Sequence, residues 1–71
     1  MTFFSETEIA TDPILKYLEP NPNLPESLRV WSDIAANMAA RVVVEIPRSA
    51  ERTAGLRKLL EAKDCFVRAC L

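Results

Sequence analysis

The side chains able to do chemistry crowd into the last third of the chain. Residues 51–71 carry Arg52, Arg57, Lys58, Lys63 and Arg68, in a protein whose formal net charge is −1. Cations at that density suit an anion, and an arginine can meet a phosphate bidentately or stack on a base. Arg57, Lys58 and Arg68 also read as a solvated face, with Arg57–Glu61 and Asp64–Arg68 as i,i+4 pairs of only ~0.2–0.5 kcal/mol each. Pairs that weak leave the arginines free to grip a ligand. Upstream, Lys16-Tyr17 sets a ring beside a cation, and bases stack on such rings at ~1–3 kcal/mol. The plainer role for Tyr17 is a half-buried anchor.

Catalytic machinery is thin. The chain has no histidine, so acid–base triads and the usual Cys/His zinc sites are out of reach within one chain. It has no glycine-rich phosphate loop. Glu61-x-x-Asp64 looks like half of the carboxylate set with which all-helical nucleotide pyrophosphatases hold magnesium. The other half must come from a facing helix, and the preceding segment offers only Asp33 and Glu45. No enzymatic activity, metal or cofactor is expected.

The elements that would position these groups are helices. Residues 49–70 contain no proline and project as one helix, capped by Ser49. Leu56, Leu59, Leu60, Phe66, Val67 and Cys70 form its apolar face, and Arg57, Glu61, Asp64 and Arg68 a charged one. Gly55, Ala62 and Ala69 line a flank at heptad spacing, a row suited to close approach of another helix from this chain or a second one. Arg52 and Lys63 project into the apolar face. Either Arg52 pairs with Glu45 across the turn and Lys63 snorkels to the rim, or an oligomer interface encloses both around phosphate, since desolvated cations need an anion.

Before it, residues 25–46 form a second helix, with Asn23 or Leu24 as cap and Pro25 in its first turn. Its apolar stripe is Leu28, Trp31, Ala35, Met38 and Val42, with Ile34 beside it, and Trp31 is expected in the core. Val42-Val43-Val44 favours a strand, but a lone strand has no partner here, and the helix continues until Pro47 stops it. Residues 20–24 make a stiff, largely extended proline-rich connector. Residues 12–19 form a short helix capped by Asp12 with Pro13 in its first turn, and residues 1–11 are an arm. The fold class is therefore all-α: a short N-terminal helix, then an antiparallel two-helix hairpin in a single domain.

A chain of 71 residues sits near the lower limit for independent folding. A single core of this size supplies only about 3–5 kcal/mol. Cys65 and Cys70 point about 140° apart on one helix and cannot bridge within the chain. They read as small reduced apolar residues, which leaves self-association as the expected stabiliser. The N-terminus lacks the basic and apolar regions of a signal peptide. The apolar run Ile34–Ala40 falls far short of the ~18 residues of a membrane span. A soluble, cytosolic chain is expected.

Charge is segregated. Residues 1–26 set Lys16 against Glu6, Glu8, Asp12, Glu19 and Glu26, a balance of −4. Residues 48–71 balance at +3. Proteins for long nucleic acids carry a broad basic footprint. A local basic end suits a small anion, or the chain's own acidic N-terminus.

The run from Glu51 to Ala69, ERTAGLRKLLEAKDCFVRA, resembles the C-terminal helix of a group of small phage proteins. That group shares the helical-hairpin domain of anti-CBASS type 2 and Thoeris anti-defence type 1 proteins. Lys16-Tyr17-Leu18-Glu19 and Leu24-Pro25 are similar to its N-terminal part. The resemblance implies a sponge in the host bacterial cytoplasm that sequesters cyclic dinucleotide or cyclic trinucleotide immune signals without cleaving them. It implies a homo-oligomer, often a hexamer, with pockets between protomers. It also implies roles: Arg52 and Thr53 at phosphate by charge and hydroxyl near a helix N-terminus, Arg57 and Arg68 at phosphate or base, and Tyr17 as the stacking ring. Cyclic dinucleotides are nearly two-fold symmetric, and a two-fold interface offers each phosphate the same residues. The alternative is a hairpin adaptor that recognises a protein through its apolar stripe.

Overall fold

A computed structural model describes residues 3–71, which form helices and turns with no strand among them. The expected arm is partly helical. Helix α1 (Glu6–Thr11) starts with a capping box in which Ser5 Oγ accepts from the Glu8 N–H at 3.1 Å while the Glu8 carboxylate accepts from the Ser5 N–H at 2.9 Å. That Ser-x-x-Glu signature is in the sequence; a helix of six residues is too short to show an apolar period. Met1 and Thr2 of the arm lie outside the described residues.

Pro13–Leu18 is a 3₁₀ helix, and Asp12 does not cap it. The connector is turned rather than extended: Leu24 N–H donates to the Asn21 carbonyl at 3.3 Å and Asn23 N–H to the Asn21 side chain at 3.0 Å. Buried Ser32 accepts from the Asn21 N–H at 3.2 Å, pinning this turn to the next helix.

Helix α2 (Glu26–Glu45) has Pro25 itself at the cap position and runs through Val42-Val43-Val44. It ends before Pro47, which has no N–H to continue the ladder. Ser49 then caps α3 (Ala50–Ala69), its Oγ accepting from the Arg52 N–H at 3.0 Å. Trp31 near the start of α2 meets Phe66 near the end of α3 at 5.9 Å between ring centroids. The two helices are thus an antiparallel hairpin.

The N-terminal segment lies across one side of this hairpin as a strap. Phe4, Leu15 and Leu18 from the strap are fully buried against Ala35 and Ala39 of α2 and Leu56 of α3. The hairpin supplies mostly small side chains at this seam, and the strap supplies the bulk. The Glu19 carboxylate holds the strap's beginning, accepting from the Phe3 N–H at 2.8 Å and the Phe4 N–H at 3.2 Å.

The buried face of α2 is therefore not the one its large apolar residues define. Leu28, Ser32, Ala35, Ala36 and Ala39 are buried. Trp31 at 39% exposure, Ile34 at 53% and Met38 at 57% are turned outward, contrary to the core position expected for Trp31. Small residues let a third element approach closely, and the burial followed that packing rather than side-chain size. Cys65 and Cys70 are likewise exposed, as free thiols.

Candidate functional site: a basic groove at the start of α3

An open groove with two arginines in its lining lies where α3 begins. It spans about 600 Å³ and is lined by Arg48, Ser49, Ala50, Thr53, Ala54 and Arg57, within the range of small-molecule sites. A second hollow of about 290 Å³ adjoins it, sharing Arg48, Thr53 and Arg57 and adding Thr11, Asp12, Pro13 and Ile14 from the strap. Helical spacing explains the pairing of Thr53 with Arg57: residues four apart lie one above the other on one face. Arg48 reaches the same groove from the turn after Pro47. The positive end of the α3 dipole adds to the two guanidinium groups. Arg57 has no ion-pair partner among the described residues, and Arg48 is tied only loosely, its Nε 3.9 Å from Asp12 Oδ1.

Arg52 is elsewhere. It is buried, at 8% exposure, and its guanidinium donates to Asp12 Oδ2 and, through Nη1 at 2.9 Å, to the Ile46 carbonyl. Its Nε has no hydrogen-bond partner among the described residues. The expected partner Glu45 is paired with Arg41 instead. Arg52 thus clamps the strap to the hairpin and does not line the groove. Lys63 also finds partners at home: its ammonium lies 2.9 Å from Asp64 Oδ1 and donates to the Tyr17 carbonyl at 3.3 Å. Lys63 is thus satisfied within the protomer, and Arg52 in all but its Nε.

Tyr17 is on the 3₁₀ helix beside Lys63, 62% exposed, and outside the groove. Arg68 shares the Arg57 face but stands eleven residues on, about 16 Å along the axis. Its guanidinium lies 3.5 Å from Cys65 Sγ, not on Asp64 as the spacing suggested. Of the five residues singled out in the sequence, the structure brings Thr53 and Arg57 into one site. It leaves Tyr17 and Arg68 outside and commits Arg52 to the core. Arg48 was missed; the available signal was its place immediately before a capped helix N-terminus. Among the described residues no three of His, Cys, Asp and Glu gather as a metal-holding group.

No helix among the described residues is long and apolar enough to cross a membrane. Neither a family model, nor a curated protein, nor a solved structure matches the chain.

Proposed function

We propose that the protein is a phage anti-defence sponge that binds cyclic di- or trinucleotide immune signals in the bacterial cytoplasm and leaves them uncleaved. The observation that carries this reading is the convergence of Arg48, Thr53 and Arg57 at the Ser49-capped start of α3. Two guanidinium groups, a hydroxyl and a helix N-terminus form a donor set for phosphate oxygens. It is the right size for part of a cyclic nucleotide. The resemblance of residues 51–69 to the phage hairpin group supports the choice of ligand. An open groove on one small protomer leaves much of a dinucleotide in water, so the pocket is completed by neighbouring copies in a homo-oligomer, with a hexamer the form that the resemblance implies. Tyr17 and Arg68, exposed on their own parts of the surface, are then available to a ligand bound mainly by another copy.

Titration calorimetry against cyclic di- and trinucleotides tests this directly. Binding at micromolar protein, weakened about ten- to hundredfold by Arg57→Ala and with ligand recovered intact after denaturation, is the expected result. No heat with any of these ligands sinks the reading. The adaptor alternative is favoured by a different observation, the outward Trp31, Ile34, Met38 and Phe66.

A further inference from the structure

The two adjoining hollows at the start of α3 differ in sign. The first is lined by two arginines, two hydroxyls and the helix start. The second shares Arg48, Thr53 and Arg57 with it but adds an acid, Asp12, beside Pro13 and Ile14.

Asp12 is only 5% exposed, and its two carboxylate oxygens are used unequally. Oδ2 accepts from the buried Arg52 guanidinium. Oδ1 accepts no hydrogen bond among the described residues, and Arg48 Nε stands 3.9 Å from it, beyond bonding distance. Nor is Oδ1 sealed in, because Arg52 Nε is the one fully buried side-chain N or O atom without a partner among the described residues. A largely buried carboxylate thus keeps one acceptor unsatisfied beside the groove. Asp12 also borders a hollow of about 220 Å³ on its α1 side, which Thr53 and Arg57 do not line. A ligand held by those two residues meets Asp12 from the α3 side.

A carboxylate oxygen only accepts. It repels phosphate and asks the ligand for a donor. We propose that Asp12 reads a hydroxyl vicinal to the bound phosphate, the 2′-hydroxyl of a ribonucleotide linked through its 3′-oxygen. The proposal rests on the cyclic-nucleotide reading above and adds to it that the sugar is recognised.

Position selects this hydroxyl over a base. A phosphate oxygen bound by Arg48 lies about 2.7–2.9 Å from a guanidinium nitrogen, and Oδ1 flanks the same guanidinium. A donor that reaches Oδ1 therefore stands next to the phosphate. The 2′-hydroxyl is on the carbon adjoining the 3′-phosphate ester, whereas the donor edge of a base lies across the sugar. An acidic side chain takes a ribose hydroxyl in the same way in dinucleotide-binding folds. Pro13 and Ile14 give the hollow an apolar wall for the sugar ring.

The test is calorimetry of the full chain with 3′-linked cyclic di-AMP, cyclic di-GMP and cyclic tri-AMP, beside their 2′-deoxy and 2′-fluoro forms. A ribo ligand that binds is expected to lose about tenfold or more in affinity as either analogue. The fluoro form keeps the ribose pucker and lacks the donor, so a fluoro ligand bound as tightly as the ribo ligand overturns the proposal. On the protein side, Asp12→Leu with Arg52→Met removes the buried pair as a unit. Ribo and deoxy ligands are then expected to bind alike, and a preference that survives in this variant overturns the role of Asp12. Should the double variant not fold by circular dichroism, the wild-type comparison of ribo with fluoro decides. The two readings fail differently. No binding of any ribo ligand removes both, whereas equal binding of ribo, deoxy and fluoro forms removes the sugar contact and leaves the sponge.

Discussion

Asp12 is the residue on which two otherwise separate parts of the molecule meet. One carboxylate oxygen takes the buried guanidinium of Arg52, and the other faces Arg48 at the groove. Removing one partner of a buried pair leaves the other charge uncompensated, at about 3–5 kcal/mol. That equals the whole stability of a core this size. Arg52→Ala and Asp12→Ala are therefore expected to be largely unfolded by circular dichroism at room temperature. The double variant Asp12→Leu with Arg52→Met removes both charges and is expected to regain most of the helical signal. Persistence of a folded Arg52→Ala protein with an unchanged melt would refute the clamp. Arg57 behaves oppositely. It is exposed and without an ion-pair partner among the described residues, so Arg57→Ala leaves the melt unchanged and acts only on ligand affinity. A charge-assisted contact is worth about 1.5–3 kcal/mol, which calorimetry reads as a ten- to hundredfold loss.

At the scale of elements, the caps and the small seam on α2 decide the geometry. Ser49 Oγ holds the first turn of α3 in register with the Arg48–Thr53–Arg57 groove. Ser49→Ala is expected to lower stability by ~1 kcal/mol in urea unfolding; no change would show that the cap is not formed in solution. Ala39 is fully buried beneath the strap. Ala39→Leu would force the strap off the hairpin, at about 1–3 kcal/mol, and is expected to lower the thermal midpoint. Enlarging the exposed Met38 to phenylalanine at the same depth should not. These two substitutions distinguish the buried face of α2 from its outward one without any ligand.

Over the whole molecule, the acidic N-terminal third and the basic C-terminal third are brought together by the strap. The segregation seen in the sequence is partly spent inside the protomer, through Asp12 with Arg52 and Arg48. What remains at the start of α3 is exposed charge, screened over about 8–10 Å at physiological salt. Raising salt should weaken nucleotide binding several-fold in calorimetry while leaving the melt nearly unchanged, because the ion pair that holds the fold is buried. Affinity independent of salt would argue that phosphate is not what the groove recognises.

Local chemistry made much of this legible in advance. Proline positions and the Ser49 cap gave the two long helices to within a residue or two, while the shared face of Thr53 and Arg57, four residues apart, was legible but went undrawn. The Ser5-x-x-Glu8 capping box was equally present and went unread because six residues show no period. Which side of α2 is buried could not be read along the chain: the sequence offers Trp31, Ile34 and Met38 as one stripe and Ala35, Ala36 and Ala39 as another, and only the strap's approach chooses. The pairing of Arg52 with Asp12, forty residues away, was beyond reach for the same reason. Periodicity ranks faces within one helix, whereas a buried charge is assigned by whatever distant group the tertiary packing brings to it. The sequence thus determined the helices and the basic character of the last one; the tertiary structure decided which of its cations holds the fold together and which face the solvent.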